Sequence, residues 1–334
     1  MQIWISILLL PLQNTDIMYE SLLELDPVRI NFNAAGMHII NIILSFVMFG
    51  VALGIKPQQF ASLIKKPKSA ILGLISQIIA LPLITFILVI TFSDLITPTV
   101  AMGMILVAAC PGGNISNFMS SLSKANTELS VGLTASTTML SVITTPGNFA
   151  LWGGLYVRYI NRHATHMLQP LEIDKWQMFE TVFILLGIPL VLGILFAHFL
   201  PKATQKIKKP IQYLSIVFFL AMVVLAFSNN FNLFLKYILF VFFIVLVHNA
   251  LALGTGYSIA RIFKLPDADK RTLTIETGIQ NSGLGLVLLF NPKIFPPELQ
   301  LGGMLFITAW WGIWHIISGL GISAYWSRKP VKES

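Results

Sequence analysis

The chain has 334 residues, of which 55% are hydrophobic and only 11% are charged. An ordinary soluble domain has about 25% charged residues, so this composition excludes a soluble globular protein. Apolar runs of about 20 residues recur along the chain, and the Lys and Arg residues lie in the gaps between them. This pattern predicts an all-α polytopic membrane protein. It also assigns the net charge of +8 to loops that flank membrane spans rather than to nucleic acid binding.

The N-terminal residues 1–34 are predicted to form an extracellular or interfacial segment. Residues 1–12 are apolar but too short to span, and they lack the basic start of a signal peptide. Residues 14–33 are polar and acidic, and we expect a helix there that lies against the membrane. A single transmembrane domain follows over residues 35–326. Its nine predicted spans are residues 35–55, 69–92, 99–122, 127–156, 178–200, 211–229, 234–262, 271–290 and 301–326.

The basic residues alternate between the two sides of these spans. The first, third, fifth and seventh loops and the tail, residues 327–334, hold 16 of the 22 Lys and Arg residues. Basic residues in short loops favour the cytoplasmic side. We therefore predict a cytoplasmic tail and, with an odd number of spans, an N-terminus outside the cell.

Two of the predicted spans are interrupted by residues that weaken a helix. Residues 110–117 read CPGGNISN in the third span, and residues 276–283 read ETGIQNSG in the eighth. Pro and Gly free backbone groups that are tolerated in a membrane only where protein or a water-filled cavity satisfies them. Two broken helices five spans apart predict an inverted-repeat transporter, because the odd spacing makes the two halves point in opposite directions.

Glu276 is the one acidic residue that we place deep among apolar neighbours. An unpaired carboxylate at the bilayer midplane costs about 2.5–3.5 kcal/mol, and the predicted spans offer no Lys or Arg to pair with it. A bound cation or a proton is the natural compensation. The side chains around it carry hard oxygen atoms, which favour Na⁺ or another alkali or alkaline-earth cation.

Together, the PGGNISN motif, the ETGIQN motif and Gln77 in the second span resemble the bile acid:sodium symporter family over about residues 35–326. The resemblance implies a bacterial homologue of the animal ileal and liver bile acid transporters, in the bacterial inner membrane, with a core and panel arrangement of helices. It implies two sodium ions where the broken helices cross. The first would be held by Ser116, Asn117, Ser130, Thr134 and Glu276. The second would be held by Gln77, Glu276, Gln280 and the carbonyl groups of Thr277 and Ile279.

A sodium-coupled symporter that imports an organic anion is therefore the expected function. The resemblance implies a substrate among bile acids, steroid conjugates and smaller carboxylates. Asn114 and Asn281 are expected to bind the anion at the helix breaks. Membrane lipid is the other expected partner, and no protein partner is implied. A sodium-independent or proton-coupled carrier of the same fold remains the alternative. An intramembrane enzyme is disfavoured because the sequence lacks a catalytic pairing or metal motif, and a channel because no filter sequence is present.

Overall fold

A computed structural model of the chain describes residues 15–28, 42, 45–55, 58–163, 175–228, 231–296 and 298–331. These residues are helical apart from turns, short connections and one isolated β-bridge. The first helices are α1 (Thr15–Leu23), α2 (described over residues 45–52), α3 (Gln58–Lys65), α4 (Pro67–Thr91), α5 (Pro98–Ala109) and α6 (Ile115–Leu122). The remaining helices are α7 (residues 127–163), α8 (residues 175–199), α9 (Pro201–Ser228), α10 (Phe231–Ile262), α11 (Asp267–Gly278), α12 (Ser282–Leu289) and α13 (Gly302–Ser327).

Among the described residues, three segments are long and apolar enough to cross a membrane: Pro67–Thr91, Leu235–Ile262 and Gly302–Ser327. Two shorter apolar helices are Pro98–Ala109 and Ile188–Phe199. The structure is thus that of a helical membrane protein. The count of nine spans and the inverted repeat stay predictions, and much of the first predicted span, 35–55, lies outside the described residues.

The third and eighth predicted spans are each divided into two helices. The third becomes α5 and α6, which are separated by residues 110–114, and the eighth becomes α11 and α12, which are separated by residues 279–281. The first break contains the Pro and Gly residues that the sequence indicates, and the second follows directly after Gly278, the last residue of α11. The sixth predicted span, in contrast, starts too late, because α9 already begins at Pro201 and includes the basic stretch that we read as a loop. Ala, Gln and Lys are strong helix formers, which explains the longer helix.

Helices α4, α7 and α8 each contain a π-helical turn, formed by Ser76–Ala80, Phe149–Gly153 and Phe183–Gly187 respectively. In α4 a proline follows the turn closely. Pro82 has no N–H to donate to the carbonyl of Ile78 four residues earlier. Asn148 of α7 donates its side-chain N–H to that carbonyl at 2.9 Å, so the irregular turn of α4 is fastened to α7.

One end of the molecule is held by buried charges. The carboxylate of Asp269 accepts hydrogen bonds from Asn126 at 2.7 Å, from Ser69 at 2.7 Å and from Lys66 at 3.1 Å. The guanidinium of Arg271 donates to the carbonyl of Ser123 at 2.9 Å and to carbonyl groups at the end of the chain. The first, third and seventh predicted loops and the C-terminal tail, all on the predicted cytoplasmic side, therefore meet at this end.

The opposite end contains the N-terminal segment. The carboxylate of Asp26 accepts hydrogen bonds from Thr97, at 2.9 Å, and from Thr99 at the start of α5. The N–H of Leu301 donates to the carbonyl of Val28 at 3.1 Å. Helix α1 forms within the predicted acidic segment, and its Leu22 packs fully into the protein. Residues 1–14 and 29–34 of the predicted interfacial segment lie outside the described residues.

Helix α11 packs closely against α10 because glycine lies at their contacts. A Cβ atom at Gly256 would clash with the carbonyl of Leu273, and one at Gly278 would clash with the side chain of Leu253. This close packing brings the last turn of α11, with Glu276, into the interior of the protein.

Candidate functional site

The two helix breaks cross and pair with each other through their backbones. Gly112 and Gln280 form an antiparallel β-bridge. The N–H of Gly113 donates to the carbonyl of Ile279 at 2.7 Å, and the N–H of Asn281 donates to the carbonyl of Pro111 at 2.8 Å. Backbone groups freed by the breaks are thus satisfied by the other broken helix, as the membrane interior requires.

Glu276 is fully buried beside this crossing, and its carboxylate is surrounded by hydroxyl groups. The hydroxyls of Ser116 and Ser130 each donate to Oε1 at 2.5 Å, and Thr134 donates to Oε2 at 3.0 Å. The side-chain oxygen of Asn117 lies 3.0 Å from the hydroxyl oxygen of Ser130 and 3.3 Å from that of Thr134, as an alternative acceptor for their protons. The structure therefore brings together all five residues of the first predicted sodium set, from α6, α7 and α11.

The positions of these residues follow from their local sequence. Ser130 and Thr134 are four residues apart on α7 and so share one face of the helix. Ser116 lies in the first turn of α6, where the partial positive charge of a helix N-terminus favours a nearby carboxylate. Helix α7 itself begins at a capped end, because Asn126 accepts a hydrogen bond from the N–H of Leu129 at 3.1 Å.

The oxygen atoms of this cluster suit an alkali cation. None of the four ion pairs between described residues includes Glu276. A hydroxyl oxygen that now donates to the carboxylate keeps lone pairs with which it can also bind a cation. One carboxylate together with hydroxyl and amide oxygens provides the hard ligands that such cations prefer.

Gln77, of the second predicted set, is 2% exposed, and neither its Oε1 nor its Nε2 has a hydrogen-bond partner. Its relation to Glu276 is shown by Gly112. A Cβ atom on that glycine would lie 2.8 Å from Oε1 of Gln77 and 3.2 Å from Oε2 of Glu276. The two side chains therefore reach the same small space beside the backbone of residue 112.

The other members of the second set are already hydrogen-bonded in part. The amide of Gln280 donates to the carbonyl of Thr277 at 2.9 Å, while its own Oε1 has no partner. The carbonyl of Ile279 accepts from Gly113. Each carbonyl oxygen retains a second lone pair, so both remain available as ligands.

The two predicted anion-binding residues occupy equivalent positions in the broken helices. Asn114 is the N-cap residue of α6, is exposed, and makes no side-chain cap bond. Asn281 is the N-cap residue of α12, and its side-chain oxygen accepts from the N–H of Leu284 at 3.1 Å. The side-chain oxygen of Asn281 is thus used by the fold, which leaves its NH₂ group as the donor for a ligand.

The predicted sets omit two residues that hold the crossing in place. The amide of Asn249 donates to the carbonyl of Gly278 at 2.7 Å, at the end of α11. The hydroxyl of Ser76 hydrogen-bonds to that of Thr277 at 2.5 Å. An isolated amide within the apolar α10 is a visible signal in the sequence for Asn249. Ser76 offers no such signal beyond its place next to Gln77.

A protein with membrane-length apolar helices, and with two broken helices that cross beside a buried carboxylate, has the construction of a secondary transporter. Comparison with known proteins identifies which kind. The model of the sodium bile acid symporter family matches residues 41–237, which is more than half of the chain. The chain belongs to this family.

Similar proteins agree with this assignment. The chain is 30% identical over 297 residues to the "Uncharacterized sodium-dependent transporter YocS" of Bacillus subtilis, with 88% of this chain and 84% of YocS covered. It is 28% identical over 300 residues to the human "Sodium/bile acid cotransporter 4", covering 87% of this chain and 65% of that protein. It is 26% identical over 281 residues to the rice "Probable sodium/metabolite cotransporter BASS2, chloroplastic", covering 80% and 62%. These proteins are named as transporters and not as enzymes, and this chain, as a member of the family, is a sodium-dependent transporter.

Proposed function

We propose that the protein is a symporter that imports an organic anion, either a bile acid or steroid conjugate or a smaller carboxylate, together with sodium. The observation that supports this proposal best is the buried carboxylate of Glu276, on α11, within a shell of oxygen atoms from α6 and α7. One sodium ion is held by Ser116, Asn117, Ser130, Thr134 and Glu276. The second is held by Gln77, Glu276, Gln280 and the carbonyls of Thr277 and Ile279.

Sodium couples to the anion through the crossing of the broken helices. A cation at Glu276 neutralises a charge that is costly in the membrane and fixes α6, α7 and α11 relative to one another. Asn114 and Asn281 lie at the starts of the second halves of the same broken helices. If the anion binds better to the sodium-loaded form, then sodium must bind better to the anion-loaded form by the same factor.

Sodium is favoured over a proton at Glu276 by the number of oxygen atoms around it. The hydroxyls of Ser116, Ser130 and Thr134 and the side-chain oxygen of Asn117 lie around one carboxylate, which is a set of hard ligands suited to an alkali cation. Membership of the sodium bile acid symporter family supports the same choice. These observations favour sodium coupling over the proton-coupled alternative.

The proposed location is the bacterial inner membrane, with lipid around the apolar helices, the N-terminus outside and the C-terminus in the cytoplasm. The grouping of loops supports this topology. The contacts of Asp269 and Arg271 join loops of the predicted cytoplasmic side, and those of Asp26 join loops of the other side.

Uptake into proteoliposomes tests the proposed coupling. With taurocholate, a steroid sulfate or pantoate as labelled anions, we expect an inward sodium gradient to drive accumulation of at least one of them above its external concentration. A potassium gradient of equal size should drive none, and liposomes without protein give the background. Accumulation driven by a proton gradient without sodium would establish the proton-coupled carrier instead. Equilibration without accumulation under every gradient would contradict symport.

The anion-binding role of the two asparagines is tested by separate changes. We expect Asn114→Ala and Asn281→Ser to raise the half-saturating anion concentration about tenfold, which corresponds to about 1.4 kcal/mol. A lost hydrogen bond typically costs about 0.5–1.5 kcal/mol, rising to about 1.5–3 kcal/mol when its partner is charged, so the expected value lies where the two ranges meet. Ser is chosen at position 281 because its hydroxyl can still accept from the N–H of Leu284 and cap α12.

Sodium binding without the anion is the second measurement for these variants. We expect the rise in melting temperature caused by sodium alone to stay at the wild-type value in both, while Gln77→Ala reduces it. If the asparagine variants lose this rise as fully as the Gln77 variant, then Asn114 and Asn281 support the sodium sites rather than the anion.

A further inference from the structure

Helix α7 has a polar stripe that continues well beyond the Glu276 cluster. Its members recur every three or four residues and so lie on one face of the helix. They are Ser130, Thr134, Thr137, Ser141, Thr144 and Asn148. At a rise of about 1.5 Å per residue the stripe is about 27 Å long, close to the hydrocarbon thickness of a bilayer at about 30 Å.

The stripe is buried at one end and partly exposed at the other. The stripe residues Ser130, Thr134, Thr137 and Ser141 are buried, whereas Thr144 and Asn148 are partly accessible. Phe149, which follows the stripe, stacks edge-on against Phe295 with ring centroids 5.9 Å apart. Phe295 belongs to the last loop before α13, whose end contacts the N-terminal segment. The stripe therefore leads from Glu276 toward the predicted outer end of the molecule.

A small cavity of about 10 Å³ lies against the stripe, beyond Gln77. Its lining includes Thr137, Thr144 and Asn148 from α7, Gln77 from α4, and residues 109–111 at the end of α5. A volume of this order accommodates one water molecule or one ion of similar size. Because the cavity adjoins the C-terminus of α5, the partial negative charge of that helix end favours a cation in it.

Gln77 separates this cavity from Glu276. Gln77 lines the cavity and is 2% exposed, and neither its Oε1 nor its Nε2 has a hydrogen-bond partner. Its Oε1 also lies beside Gly112, next to Oε2 of Glu276. A buried amide without partners is unfavourable unless a ligand satisfies it. The side chain of Gln77 can thus bind a cation either in the cavity or at Glu276. The two places follow one another along the polar stripe of α7.

We infer that this cavity is a transit site through which the coupling cation passes between the partly exposed end of α7 and Glu276. The hydroxyl oxygens of Thr144 and Thr137 and the amide oxygen of Gln77 replace part of the hydration shell of the ion. Asn148 positions the wall of the cavity, because it is bonded to the carbonyl of Ile78. The inference rests on the proposed sodium coupling and adds a route and three residues, Thr137, Thr144 and Asn148, to it.

Charge movement after a sodium jump tests the transit site. Proteoliposomes with the full chain are adsorbed to a solid-supported membrane, and the sodium concentration is raised without any organic anion. For Thr144→Val we expect the current to relax about fivefold more slowly than for wild type, because the barrier to entry rises. The half-saturating sodium concentration should stay within a factor of two, because the final site is intact. Thr144→Ser should restore the wild-type rate.

Thr145→Val is the matched control. It makes the same chemical change one residue further along, at a fully buried hydroxyl that has no hydrogen-bond partner and does not line the cavity. Equal relaxation rates in the Thr144→Val and Thr145→Val proteins would overturn the inference. A shifted half-saturating concentration with an unchanged rate would also overturn it, since Thr144 would then act on the final site. If the wild type shows neither a sodium current nor sodium-dependent stabilisation, the proposed sodium coupling itself is wrong.

Discussion

Replacing Glu276 by Ala is expected to abolish sodium-driven uptake while leaving expression largely intact. The carboxylate is proposed as a ligand in both sodium sites, and it accepts hydrogen bonds from three hydroxyl groups. A charged interaction of this kind contributes about 1.5–3 kcal/mol, and two sites are affected together. We therefore expect a loss of at least about 100-fold in uptake, which is about 2.7 kcal/mol. Initial uptake rates under a sodium gradient measure the effect.

Glu276→Gln separates the charge from the shape of the side chain. Its amide oxygen can still accept from the hydroxyls of Ser116 and Ser130, so the folded state is retained without sodium. We expect uptake at background, as for Ala, and no rise in melting temperature when sodium is added. Glu180→Gln removes a carboxylate from an exposed position of α8 and should transport normally. Wild-type uptake by either Glu276 variant would exclude it as a shared sodium ligand.

The sequence predicts the helix breaks well because the signal is local. Pro111 and the glycines beside it weaken a helix wherever they occur, and the same holds for Gly278. In the structure the first break includes Pro111 and its neighbouring glycines, and the second begins directly after Gly278. The residues of the first predicted sodium set also lie together in the structure, because they belong to short motifs near the breaks or are four residues apart on one helix. Their binding of sodium stays a prediction.

Contacts between distant helices are what the sequence could not provide. The bond from Asn148 to the carbonyl of Ile78 joins residues 70 positions apart, and it depends on the π-helical turn of α4. Gly112 reads in the sequence only as a helix breaker, yet its missing side chain leaves the space that Gln77 and Glu276 share. Such register between helices is set by tertiary packing, which residue patterns along one helix do not determine.

The burial of α1 is a second case in which the sequence of one helix does not predict its contacts with a distant segment. The acidic residues in and directly after α1 indicate a surface helix, and both Glu20, within the helix, and Glu24, just beyond it, are exposed. Leu22, however, is fully buried, and a Cβ atom on Gly302 at the start of α13 would clash with the carbonyl of Leu25. The composition of a nine-residue helix does not reveal that a glycine almost 280 residues later provides room for it.

Gly112→Ala is expected to raise the half-saturating sodium concentration at least tenfold and to reduce uptake at low sodium by a similar factor. The added methyl group would lie 2.8 Å from Oε1 of Gln77 and 3.2 Å from Oε2 of Glu276, so it would occupy the space between two proposed ligands of one cation. Backbone strain does not contribute, because no described glycine has a positive φ and Ala can adopt the same conformation. Uptake measured across a range of sodium concentrations reveals the shift.

Gly147→Ala provides the control, since a Cβ atom at that position of α7 meets nothing within 4 Å. Its sodium dependence should equal that of wild type, which would show that the effect at residue 112 comes from the site and not from added helix propensity. Helix propensity alone would make Ala more stable than Gly by about 1 kcal/mol. If Gly112→Ala kept the wild-type sodium dependence, a methyl group would fit between Gln77 and Glu276 without displacing anything. The two side chains would then not share a cation, and Gln77 would have to act apart from Glu276.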